Sequence, residues 1–121
     1  MIDVKDRVYE ALCKACSTVS DAYPTNWTEL PAVQFMEEDN RVHTWTDDKE
    51  QISYVRYRID IWDNRSTSEA ALAVDRELSK LGLERTLCQD VDDPSHLKHK
   101  VIRYEAILEE QSDGDIFVYH E

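Results

Sequence analysis

The chain is 121 residues long, 41% hydrophobic and 33% charged, with two glycines, three prolines and a formal charge of −12. Its length predicts a single domain over 1–121 that can bury about two-thirds of the surface of the unfolded chain, so no disulfide or metal staple is required. The acidity disfavours binding to a phosphate backbone or an anionic membrane, and no apolar run approaches the length of a membrane span.

Val8, Leu12, Ala15 and Val19 recur at three- and four-residue steps, which predicts a first helix from about Val4 to Ala22, with Asp3 as N-cap and Pro24 forbidding continuation. Ala32 to Glu38 predicts a short strand with Val33 and Phe35 on one face, ended by turn chemistry at Asp39-Asn40. The polar run Arg41–Lys49 reads as an irregular hairpin or an exposed loop. Glu50 to Trp62 is the strongest strand: Val55, Tyr57, Ile59 and Ile61 share one face, and Arg56, Arg58 and Asp60 the other. Ser66 and Glu69 have the spacing of a capping box for a second helix to about Leu81, with Ala71, Val74, Leu78 and Leu81 inward and Gly82 as its left-handed stop. A strand from Leu83 to Val91, a turn at Asp92–Ser95 and a long strand from Leu97 to Leu108 follow. Ile116 to Tyr119 supplies a possible edge strand. The order predicts an α+β domain: a mainly antiparallel sheet of four to five strands with two helices packed on one face.

The chain offers little for catalysis. Gly82 and Gly114 are too few for a phosphate loop, a dinucleotide fingerprint or a nucleophile elbow. Cys13 and Cys16 form a C-x-x-C inside a predicted helix with no strand before it and no second pair after it, so they read as small helix residues with Cys16 in the core. Three cysteines make no disulfide framework, which suits a protein made in a reducing cytoplasm; the charged N-terminus carries no signal-peptide pattern. His96 and His99, beside Asp92 and Asp93, are the one cluster resembling metal ligands, but an odd spacing on a strand points them to opposite faces. No cofactor or metal is expected, and the chain is not expected to be an enzyme.

Several segments in order form one pattern. A helix with Val8-Tyr9-Glu10-Ala11-Leu12 leads to Tyr23-Pro24 and Leu30-Pro31-Ala32-Val33; an acidic stretch precedes Tyr57-Arg58-Ile59-Asp60-Ile61-Trp62. A second helix exits through Leu78-Ser79-Lys80-Leu81-Gly82-Leu83-Glu84-Arg85, and Ile102-Arg103-Tyr104-Glu105-Ala106 closes the run. From Val4 to Leu108 this resembles the small tail-completion, tail-terminator and head–tail joining proteins of long-tailed bacteriophages, above all those of prophages in Gram-positive bacteria. The resemblance implies an α+β subunit that forms a ring, commonly of six copies, at the head-proximal end of the tail tube. Its partners would be further copies, the tail-tube protein and the head connector, with DNA passing through the ring without specific binding. It implies a place in the virion after synthesis in the host cytoplasm, and it carries over no catalytic residue.

For the subunit interface the sequence nominates Arg56, Arg58 and Trp62 on the long strand, then Trp45 and His43 in the polar segment. Two other readings stay open: another minor structural or connector protein of a phage, and an acidic DNA mimic that blocks a nucleic-acid-binding partner.

Overall fold

A computed structural model describes residues 1–46, 49–111 and 114–118, without the side chains of 44–46, 49–51 and 117. The elements are α1 (Lys5–Ala15), β1 (Thr18–Ser20), β2 (Ala32–Thr46), β3 (Lys49–Asp63), α2 (Ser68–Lys80), β4 (Glu84–Val91), β5 (Lys98–Glu110) and β6 (Ile116–Val118). The strands lie in the order β1-β2-β3-β5-β4, and β6 pairs with β5. All pairings are antiparallel except β1 with β2. This is the expected α+β architecture, four long strands with a three-residue strand added at each margin.

Alternation makes β3 the centre of the sheet. Val55, Tyr57, Ile59 and Ile61 are all fully buried, facing Val33 and Phe35 of β2 and Ile102, Tyr104, Ala106 and Leu108 of β5. Both helices cover that face, α1 through Val8, Ala11 and Leu12 and α2 through Ala70, Val74 and Leu78. Each aliphatic side chain so buried stabilises the fold by roughly 1.5–3 kcal/mol. Asn40 Nδ2 donates 2.8 Å to the carbonyl of Ile2, which fastens the buried start of the chain to β2.

Four expectations need correction. The first helix stops at Ala15, because Cys16 is extended (φ −141, ψ 150) and Thr18–Ser20 enter the sheet beside Ala32–Gln34. Thr18 and Val19 are β-branched and sit more comfortably on a pleated surface, so Val19 packs against the core from a strand. Asp3 is not the N-cap, which is Val4, but its Oδ1 accepts from the backbone of Lys5 at 2.9 Å. Asp39-Asn40 make no turn: β2 runs through them across a bulge at Glu38 and pairs with β3 as far as Thr46–Lys49. The capping box is not formed. Ser66 Oγ accepts from Ser68 N at 3.2 Å, and the carbonyl of Thr67 takes the first helical N–H, from Ala71.

The end of α2 is as expected. Leu83 N–H donates to Leu78 O and Gly82 N–H to Ser79 O, with Gly82 at φ +86. A Cβ on Gly82 would lie 2.7 Å from Val118 Cγ2, so β6 packs directly on this turn. Leu81 and Ala71 are only partly buried; Ala70 takes the inward place.

Candidate assembly surface

The second face of the sheet carries no helix. Strand parity places Gln34 and Met36 of β2, Arg56, Arg58, Asp60 and Trp62 of β3, and His99, Val101, Arg103 and Glu105 of β5 on it. Arg58 stands directly across from Arg103, and Arg56 across from Glu105. Two guanidiniums side by side repel, and neighbouring carboxylates offset this. Glu38, raised by the bulge, accepts from Arg103 Nε at 2.9 Å and lies 3.3 Å from Arg56 Nε. The Arg56 contact is an ion pair without the angle of a hydrogen bond, although that nitrogen is buried. Arg58 forks onto Asp60 through Nε (3.0 Å) and Nη2 (3.1 Å), which raises its pKa while burial opposes the shift. Tyr54 donates its hydroxyl to Glu105, and Arg41 stacks over the Tyr54 ring at 4.4 Å.

At one end the face is closed by a denser cluster. His99 Nε2 is 2.8 Å from Asp60 Oδ1, and its Nδ1 is 3.3 Å from Asp93 Oδ2. The side chains of His99, Asp60 and Asp93 are 11%, 7% and 10% exposed. The imidazole stacks on Trp62 at 4.4 Å, and the Trp62 indole N–H donates 2.9 Å to Asp93. Tyr23 and Trp27, from the connector before β2, meet Trp62 edge-on at 5.6 Å each. Asp93 also accepts from the hydroxyl and the backbone N–H of Ser95, and these bonds with that from Trp62 pull its pKa down to about 2.

The nominated residues are therefore differently placed. Arg56 and Arg58 lie together at the centre of the helix-free face, each already paired within the chain. Trp62 is on the same face but 3% exposed, covered by the aromatic cluster. His43 is exposed on β2 near the end of the hairpin. Trp45 contributes backbone to that hairpin, opposite Glu50, and its side chain lies outside the described residues, as do Tyr119 and His120. His96, at φ +66 in the turn, does not join His99. Among the described residues no group of three or more His, Cys, Asp or Glu could hold a metal, and no helix is long and apolar enough to cross a membrane.

Glu38, His99 and Arg103 belong to this surface although the sequence does not single them out for it. A signal existed: Arg103 and Glu105 stand opposite an apolar strand face, as Arg56 and Arg58 do. Pairing the two apolar faces brings both charged faces together. No protein-family model matches the chain, and no curated protein matches it.

Proposed function

We propose that the chain is a structural subunit of a long-tailed bacteriophage, a tail terminator or completion protein that closes into a ring on the head-proximal end of the tail tube. The supporting observation is the pair of unpartnered strand edges. Among the described residues, β2 beyond Gln34 and β4 along its length each have a strand on one side only. They lie at opposite margins of one sheet, so a contact between them in two copies is heterologous and closes into a ring when its rotation permits. Bulges near Glu38 and between Arg85 and Leu87 interrupt both edges, which limits indefinite edge-to-edge pairing. A net charge of −12 suits a ring whose lumen lets DNA slide without holding it.

In this reading the tail-tube protein and the head connector bind the two rims of the ring, and no catalytic step is required. The test is to add the purified chain to tail-tube protein while tubes are growing. The expected result is tubes that stop lengthening, with extra density at one end. Unchanged lengths and bare ends would count against the reading, and competition with DNA for a basic protein would then favour the mimic.

A further inference from the structure

We propose that the helix-free face of the sheet is itself a docking surface, and that its occupant is the same face of a second copy of this chain. The inference goes beyond the ring, which would use the strand edges and leave this face unoccupied.

Charge makes the first argument. Copies carrying −12 each repel one another over most of their surface. On the helix-free face the balance is different: Arg41, Arg56, Arg58 and Arg103 stand among Glu38, Asp39, Asp60, Glu84 and Glu105, four cations to five anions. Two such faces can approach without the penalty that other surfaces incur. Because cations and anions are interspersed over the face, with Arg56 between Asp39 and Glu105 and Arg58 beside Arg103, a two-fold rotation can lay the arginines of one copy against the carboxylates of the other.

Order makes the second argument. The arginine side chains are held by their partners at 30–39% exposure. Fixing them in a contact therefore costs less entropy than fixing freely moving arginines. Their charges are also paired in advance, so docking does not bury an isolated ion.

Size makes the third. Four strands spaced about 4.8 Å apart, with about 29 Å of each outside the aromatic cluster, give a face of about 550 Å², near the lower end of what each partner contributes to a specific interface. At its margin Met36 is 45% exposed, an apolar side chain beside the ionic array and in register with Arg58.

The experiment is sedimentation velocity of the full chain over a wide concentration range, with Met36→Glu and Leu72→Glu as the paired variants. Both positions are exposed and apolar, so neither change disturbs the core. Met36 lies on the proposed contact, whereas Leu72 lies on α2 across the sheet. The expected result is a pair whose dissociation constant rises about tenfold or more in Met36→Glu. Leu72→Glu should leave it within about twofold of the parent. A pair unaffected by Met36→Glu, a pair broken equally by Leu72→Glu, or a strict monomer at every concentration would overturn the proposal. Mass separates this from the ring: loss of pairing with rings intact sinks only the face-to-face contact. Loss of rings with pairing intact sinks only the ring.

Discussion

Replacing Gly82 by alanine tests the turn on which α2, β4 and β6 converge. Gly82 sits at φ +86, where an L side chain is strained by roughly 1–2 kcal/mol. The new methyl would also meet Val118 Cγ2 at 2.7 Å and its Cβ at 3.1 Å, inside contact distance. Overpacking of this kind typically adds roughly 1–3 kcal/mol. Alanine narrows the unfolded ensemble, which offsets roughly 0.4–1 kcal/mol, so the net loss should be roughly 1–4.5 kcal/mol. Gly114 supplies the control: its φ is +90, but nothing lies within 4 Å of an added Cβ. Gly114→Ala should cost only the strain, under about 1.5 kcal/mol after the same offset. Urea denaturation of both variants measures the difference, and Val118→Ala in the Gly82→Ala background completes a double-mutant cycle. The double variant should recover roughly 1 kcal/mol or more relative to the sum of its parts, since the smaller side chain makes room. Equal losses at the two glycines, or no coupling to Val118, would refute the claim that β6 seats on this turn.

Other expectations are simpler to check. Tyr104→Phe removes the 2.9 Å donor to Asp75 from a fully buried ring and should lower stability by about 1 kcal/mol in the same assay. Asp93 is held at about 2, below the ordinary carboxylate value, so its contribution is complete above about pH 4 and is lost as pH falls toward 2. Asp93→Asn should flatten the acid limb of stability in that window, measured as unfolding midpoints from pH 2 to 5. Of the three thiols, Cys13 and Cys88 are exposed, whereas Cys16 is buried, with its pKa raised first by burial and then by Asp63. A thiol reagent on the native protein should therefore react with two cysteines quickly and the third only on unfolding; three fast reactions would contradict the packing of Cys16.

The legible parts of this fold are those whose periodicity has one interpretation. Val55 to Ile61 and Ile102 to Leu108 alternate without interruption, and both strands lie where that alternation puts them. The stripe Val74 and Leu78 with Gly82 after it likewise specifies α2 and its end. Periodicity misled where two structures share one spacing. Ala15 and Val19 fit a helix, but the chain turns extended at Cys16, and the sheet takes up Val19. The bulge at Glu38 let β2 pass through residues that ordinarily mark a turn.

The cluster of Asp60, His99 and Asp93 was illegible for a different reason. Its members are separated by 39 residues from Asp60 to His99, and only the β3–β5 register brings Trp62 opposite His99. The odd spacing of His96 and His99 did not decide this: His96 lies in the turn before β5 at φ +66, off the strand, so strand parity does not apply to it, and only His99 enters the network. Of the interface candidates, strand parity alone put Arg56, Arg58 and Trp62 on one face. That Trp62 is covered on that face depends on Tyr23 and Trp27, which reach it from the connector before β2.

The assembly reading is tested most directly by imaging. Negative-stain electron microscopy of the purified chain, alone and mixed with tail tubes, with masses from light scattering, should reveal closed rings of uniform size. Their bore should match the channel of the tube they cap. Particles that remain monomers alone and leave every tube end bare would contradict the claim that this chain is a ring-forming tail subunit.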